Sequence, residues 1–180
     1  MLVEAAAIRI AEGIKRQVPD HKSSVHVLKH AVAILLNIVF IILFTMLISI
    51  FTGNTKQAVI ALIGFGILRQ FSGGVHLKTG DWCIVVTTVL FSLISFINLS
   101  IFYVQILNIC SLILISVFAP SKIEKQSRIP KEHYLKLRVI CILIVALSIL
   151  IQSSTLAVAY FVQALSLIHR KEVRTNEINK

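Results

Sequence analysis

The sequence from Arg69 to Cys83 reads Arg-Gln-Phe-Ser-Gly-Gly-Val-His-Leu-Lys-Thr-Gly-Asp-Trp-Cys, and apolar segments lie on both sides of it. These fifteen residues contain three glycines, a histidine, two cations, a carboxylate and a cysteine. Such groups are costly to place inside a bilayer, whereas the flanking segments are apolar enough to enter it. The stretch is therefore expected to form a loop at a membrane surface, held there by the segments around it.

The composition predicts an all-α polytopic membrane protein with one domain. The chain has 180 residues, of which 57% are hydrophobic and 14% charged, and its mean hydropathy is +0.88. A water-soluble domain of this size rarely carries so much apolar surface. No cleavable signal peptide is expected, because charged residues are scattered through the first thirty positions.

An amphipathic helix is predicted over residues 2–17, with its apolar stripe on Val3, Ala7, Ile10 and Ile14. Such a helix is expected to lie on the cytoplasmic face of the membrane, before a basic linker that ends at residue 30. Residues 31–168 are predicted to form a six-helix membrane domain, and residues 169–180 a polar cytoplasmic tail. The six predicted spans are Ala31–Phe51, Thr55–Phe71, Trp82–Leu99, Ile101–Ala119, Leu137–Ile151 and Leu156–Ile168.

The second run is short enough to be re-entrant, and the basic residues decide against that alternative. From the N-terminus, the successive segments outside the runs carry 5, 1, 2, 0, 6, 0 and 4 lysines and arginines. With six spans, 17 of the 18 basic residues are cytoplasmic, as the positive-inside rule requires. The prediction is a multi-pass protein of the cell membrane with both termini cytoplasmic. The same distribution explains the net charge of +10 without a nucleic-acid partner.

Cys83 and His76 are the candidate catalytic residues. Cys110 and Cys141 lie within apolar runs, where a cysteine usually behaves as a small hydrophobe, and the spacing favours neither a disulfide nor a metal site. On one straight helix, seven residues would separate His76 from Cys83 by about 10 Å. The glycines around them allow the chain to turn back, so that a base and a thiol can meet as acyl transfer requires.

The residues around this pair have more than one interpretation. Asp81 is the predicted N-cap of the third span, which puts Cys83 in the first helical turn, where the helix dipole favours a thiolate. Asp81 serves only as that cap, or it also orients His76. Gly73 and Gly74 are candidates to hold an oxyanion through free backbone N–H groups. Arg69 either anchors its helix end or binds a substrate carboxylate.

The order and spacing of Arg69, Gly73-Gly74-Val75-His76 and Cys83 resemble the signature of the AgrB (accessory gene regulator protein B) family. The segment from Ala119-Pro120 through a basic stretch to Ile129-Pro130 is similar to that family's second cytoplasmic loop. The resemblance covers nearly the whole chain, although Glu124, Gln126 and Ser127 interrupt the basic stretch.

The resemblance implies a membrane-embedded cysteine endopeptidase of a quorum-sensing system, without a cofactor. Its substrate would be an AgrD-like propeptide with an amphipathic leader and an acidic tail. Cys83, with His76 as base, would release the tail and retain a thioester, which an internal Cys or Ser side chain would displace to close a ring. The resemblance also suggests a homodimer. The basic loop 120–136 is the candidate surface for the acidic tail by charge complementarity, through Lys122, Lys125, Arg128 and Lys131.

The sequence is also compatible with two other functions. A non-catalytic peptide exporter or small transporter needs polar residues along a path through the spans, and there are few. Those within the runs are Asn37, Thr45, Asn108 and Gln163. A membrane scaffold would need no reactive thiol at Cys83.

Overall fold

The computed structural model describes residues 2–20, 22–74, 79–121 and 130–168. These residues form seven α-helices and a short 3-10 helix, Lys131–His133. The helices are α1 (Leu2–Gln17), α2 (Val25–Thr52), α3 (Thr55–Ser72), α4 (Gly80–Phe96), α5 (Ile101–Phe118), α6 (Tyr134–Ile151) and α7 (Ser154–Ser166). Within this part of the chain, extended backbone pairs only at an isolated bridge between Gly73 and Ser121. The all-helical prediction is confirmed.

Local capping explains where α2 departs from the predicted first span. The helix begins at Val25 because the Ser24 hydroxyl accepts a hydrogen bond from the Val27 N–H at 3.4 Å. It ends at Gly53, whose φ of 74° lies in the left-handed region that favours glycine. Residues 25–30, which include His26, Lys29 and His30, therefore extend the helix by about one and two-thirds turns before the predicted span.

α1 packs against the bundle as well as being amphipathic. Its buried side chains are Val3, Ala7 and Ala11, which follow one another at intervals of four residues. Of the predicted stripe, Val3 and Ala7 are buried against the bundle, whereas Ile10 is 43% exposed. Ala11 takes its place because a small side chain allows α1 to approach α2 closely.

The helices α2 to α7 run alternately in opposite directions. The short α2–α3, α4–α5 and α6–α7 turns meet at one end and together line a shallow cavity. There the Ser154 hydroxyl lies between the N–H of Leu99, at 3.1 Å, and the carbonyl of Leu99, at 3.2 Å. At the opposite end, the backbone of Ser72 and Gly74 after α3 bonds to Ser121 after α5, and the start of α1 bonds to Asp81 in α4.

α3 and α7 lie at the centre of the bundle. Both contribute to one buried cluster that includes Leu68 and Tyr160 and to a second that includes Phe65 and Ala159. Gly64 of α3 faces α7 closely, since a Cβ built on it would lie 2.5 Å from Leu156 Cδ2. The helix that carries Arg69 is therefore fixed mainly by its contact with α7.

Among the residues that the structure describes, three helices are long and apolar enough to cross a membrane, namely α2, α5 and α6. α4 and α7 are apolar but shorter. The structure thus agrees with a helical membrane protein, while six spans and the side of each terminus remain predictions.

The packing of α3 on α7 predicts that Gly64→Val is more damaging than Gly66→Val. A Cβ at Gly66 meets nothing within 4 Å, whereas one at Gly64 meets Leu156 and Tyr160. Both substitutions place the same branched residue in the same helix, so their difference reports packing alone. We expect Gly64→Val to lower the free energy of unfolding by about 1–3 kcal/mol more than Gly66→Val. Thermal unfolding in detergent measures this, and equal shifts would contradict the packing described.

The predicted topology can be tested by cysteine labelling at two exposed positions at opposite ends of the bundle. Asn98→Cys lies in the α4–α5 turn and Glu132→Cys in the 3-10 helix. A membrane-impermeant maleimide should label Asn98→Cys in intact cells and Glu132→Cys only after permeabilisation. The unmodified protein corrects for its native cysteines. Labelling of both positions in intact cells would contradict six spans with a cytoplasmic basic loop.

Candidate active site

Cys83 lies near the start of α4, as predicted. Its backbone N–H donates to the Thr79 carbonyl at 3.1 Å and so completes the first turn of the helix. The side chain is half-buried, and its Sγ lies 3.9 Å from the Thr87 hydroxyl. Cys141, by contrast, is fully buried in an apolar cluster, as predicted for an inert thiol. Cys83 thus combines partial access with a position at the positive end of a helix.

Arg69 comes from the last turn of α3 and is turned towards the bundle. Its Nη1 donates to Gln163 Oε1 at 3.3 Å, and its guanidinium carbon lies 5.8 Å from the centre of the Phe65 ring. The guanidinium is also close enough to Cys83 to interact with it electrostatically. The structure therefore brings together a cation and a thiol that the sequence separates by fourteen residues.

Gly73 and Gly74 form the bend that leaves α3, as predicted. Their φ angles of 72° and 128° are ones that side chains disfavour. A Cβ on Gly74 would in addition lie 2.8 Å from the Ser166 hydroxyl oxygen. The bend pairs with the chain after α5, since the Gly74 N–H donates to Ser121 O and the Ser121 N–H to Ser72 O, each at 2.9 Å.

This pairing corrects the oxyanion prediction for the two glycines. The Gly73 N–H completes the end of α3 by donating to Arg69 O at 2.9 Å, and the Gly74 N–H is used by Ser121. A backbone N–H that is already bonded is not available to a developing negative charge. The two glycines therefore shape the bend, and both of their N–H groups are engaged in it.

Gln163 of α7 fixes this bend from the side, and it is fully buried. Its Nε2 donates to Ser72 Oγ at 2.9 Å and to Gly73 O at 2.7 Å. Its Oε1 accepts from Arg69 and from the Ser166 hydroxyl, the latter at 3.2 Å. The Ser166 hydroxyl has one proton and also donates to Gln163 O at 2.7 Å, so the amide is held mainly by its own two N–H groups and by Arg69.

Asp81 has a different role from the predicted one. The N-cap of α4 is Thr79, and Asp81 lies one residue inside the helix. Its two carboxylate oxygens accept the backbone N–H groups of Leu2 and Val3, each at 3.0 Å. The first N–H groups of a helix have no partner within it, so Asp81 caps α1 rather than its own helix.

Gly80 was expected to help turn the chain, but it belongs to the first turn of α4. Its missing side chain serves close packing, because a Cβ there would lie 2.9 Å from Asn37 Oδ1 and 3.4 Å from Val3 Cγ1. α1, α2 and α4 therefore converge within one helical turn of Cys83.

Several predicted site residues lie outside the described residues. These are His76, Lys122, Lys125, Arg128 and the side chain of Lys131. The described chain reaches both edges of the basic loop, at Ser121 and Pro130. The contact between His76 and Cys83 therefore stays a prediction. The same holds for the binding of an acidic tail by the basic residues.

Sequence reasoning missed Gln163 as part of the site. It named this residue only as one of few polar groups in the apolar runs. That observation was the available signal, because a polar side chain at membrane depth is costly unless it has partners. Ser121 gave no signal, since its contribution is made entirely by backbone atoms.

The described residues thus form a helical membrane protein with a half-buried thiol at a helix start and a guanidinium that interacts with it electrostatically. This arrangement is suited to nucleophilic chemistry at the membrane surface. The chain belongs to the AgrB (accessory gene regulator B) family, whose model matches residues 7–169. Comparison with curated proteins and with solved structures gives no match. Membership confirms the resemblance seen in the sequence and suggests that the protein processes a quorum-sensing propeptide.

The cap formed by Asp81 predicts that Asp81→Ala releases the start of α1. The two N–H groups of Leu2 and Val3 lose their acceptors, and such a cap contributes about 1 kcal/mol. Hydrogen exchange over residues 2–11 should therefore become faster in the purified protein.

Glu12→Gln is the matched control, since it also removes a negative charge but touches only Arg16, at 3.7 Å, on the exposed side of α1. If Asp81→Ala left the exchange of residues 2–11 at the rate of Glu12→Gln, the capping role would be wrong.

Proposed function

We propose that the protein is a membrane-embedded cysteine endopeptidase that removes the C-terminal tail of a quorum-sensing propeptide and cyclises the product. The observation that carries this proposal is Cys83, half-buried in the first turn of α4 in a chain of the AgrB family, with which the Arg69 guanidinium interacts electrostatically. The proposed partners are the propeptide, the bilayer and a second copy of the chain.

In the first step, Cys83 Sγ attacks the carbonyl carbon that precedes the tail while His76 takes the thiol proton. The C–N bond then breaks, and the tail leaves as an amine that takes its proton from His76. The product is a thioester between Cys83 and the rest of the peptide. Arg69 supports this step because a fixed positive charge beside the sulfur stabilises the negative charge that forms there.

In the second step, an internal cysteine or serine of the peptide attacks the thioester and loses its proton to His76. The bond to Cys83 breaks, the sulfur is reprotonated, and a cyclic ester or thioester leaves. Exchange between thioesters is close to isoenergetic, so hydrolysis wins unless water is kept away from the acyl-enzyme. Partial burial of Cys83 at one end of an apolar bundle suits that requirement.

The acidic tail is proposed to bind the basic loop through Lys122, Lys125, Arg128 and Lys131. The support comes from Ser121, the residue before this loop, whose two backbone hydrogen bonds tie it to the bend at Ser72–Gly74. A tail held there would place the bond before it near the edge of the site.

This function predicts that Cys83→Ala and His76→Ala abolish tail release. Loss of a nucleophile or its base lowers turnover by at least about a thousandfold. Purified protein in liposomes, with a propeptide carrying a labelled tail, measures the release directly. Cys110→Ala is the matched control, since this thiol lies in α5 among apolar residues and should leave the rate unchanged.

A propeptide without its internal nucleophile should stop after the first step. Mass spectrometry should then find the leader and signal segment bound to the peptide that contains Cys83, through a bond that neutral hydroxylamine cleaves. Tail release by Cys83→Ala, or an adduct on a residue other than Cys83, would overturn the proposal.

A further inference from the structure

We propose that Gln163 is a positioning residue of the site, which holds Arg69 and the bend after α3 in the arrangement that Cys83 requires. Its effect on catalysis rests on the proposed function, whereas its effect on Cys83 can be measured without a substrate. The inference begins from one fully buried amide that joins the last helix to the loop.

The orientation of the Gln163 amide is fixed by its neighbours. Gly73 O can only accept a hydrogen bond and the Arg69 guanidinium can only donate one. The nitrogen must therefore face Gly73 O, at 2.7 Å, and the oxygen must face Arg69 Nη1, at 3.3 Å. The amide thus joins the backbone of the bend to the cation of the preceding turn.

No other side chain reproduces these contacts. Glutamate would set a carboxylate oxygen against Gly73 O, where two acceptors repel. It would also neutralise the positive charge that Arg69 offers to the sulfur. Leucine fills the space but leaves Gly73 O and Ser72 Oγ without their donor, and asparagine is one methylene too short to reach both sides. The position therefore requires both a neutral donor and an acceptor at this length.

The bend, the Gln163 amide and the Arg69 guanidinium are closely packed. A Cβ on Gly74 would lie 3.4 Å from Gln163 Nε2 and 3.6 Å from Arg69 Nη1, so bend, amide and guanidinium are in contact. If Gln163 releases Arg69, the guanidinium loses the contact that turns it inward. Its electrostatic interaction with Cys83 should weaken, and Cys83 should then react more slowly with an electrophile.

The test measures the rate at which N-ethylmaleimide alkylates Cys83 at pH 7 in the purified full-length protein, with Cys110 and Cys141 as internal references in the same mass spectra. We expect Gln163→Leu to slow alkylation of Cys83 about 3- to 10-fold, towards the lower end of the coupling found between contacting residues. Gln163→Glu keeps the size of the side chain and should also slow it, which secures the test if Gln163→Leu does not fold.

A double-mutant cycle separates positioning from general loosening. If Gln163 acts through Arg69, Gln163→Leu should have no further effect on the alkylation rate in an Arg69→Ala background. Gln105→Leu is the matched control, because Gln105 is a half-buried glutamine in α5 whose Nε2 donates to Ile149 O at 3.5 Å, near the other end of the bundle. It should leave the rate at Cys83 unchanged.

With the propeptide, Gln163→Leu should lower kcat about 10- to 100-fold and change KM by less than about threefold, as misplacement of reacting groups does. Unchanged or faster alkylation, or effects of Gln163→Leu and Arg69→Ala that simply add, would overturn the positioning role. Tail release by Cys83→Ala would instead refute the proposed function, and the alkylation cycle would still decide the role of Gln163.

Discussion

The backbone that leaves α3 must satisfy its hydrogen bonds within the protein, because residues 72–74 are buried beside an apolar bundle where water is scarce. Nearby groups supply these hydrogen bonds. Gly73 N–H returns to Arg69 O, Gly74 N–H and Ser72 O pair with Ser121, and Gly73 O accepts from Gln163. Only glycine can adopt the angles that bring these groups together. The position of every other group in the site follows from this bend.

One consequence is that the site draws on helices far apart in the sequence. α3 supplies Arg69, α4 supplies Cys83, and α7 supplies the amide that holds the bend. α1 is attached to α4 through Asp81, which lies two residues before Cys83. Its carboxylate accepts hydrogen bonds from the N–H groups of Leu2 and Val3. The amphipathic helix is therefore part of the framework around the thiol and not only a membrane contact.

The sequence predicted the helices well because each apolar run is bounded by residues with strong local preferences. Gly53, Pro19 and the polar residues 152–155 end or begin helices for reasons that need no tertiary contact. The site was harder to predict. Asp81 was expected to cap its own helix, which is the local choice, and instead caps a helix 78 residues away. The N–H groups of Gly73 and Gly74 were expected to be free, and they are bonded because one partner, Ser121, is brought to the bend only by the packed structure.

Gln163 illustrates why a neutral amide is suited to such a place. A buried charge costs more to desolvate than an amide, and a carboxylate beside Arg69 would form an ion pair that cancels the field at the sulfur. The amide fixes the guanidinium through one oxygen and leaves its charge intact. It also satisfies Gly73 O with the other end of the same group, so no polar atom of Gln163 is left without a partner. A satisfied neutral network can therefore keep both the bend and the positive charge in place, whereas an ionic network would keep the bend and neutralise the charge.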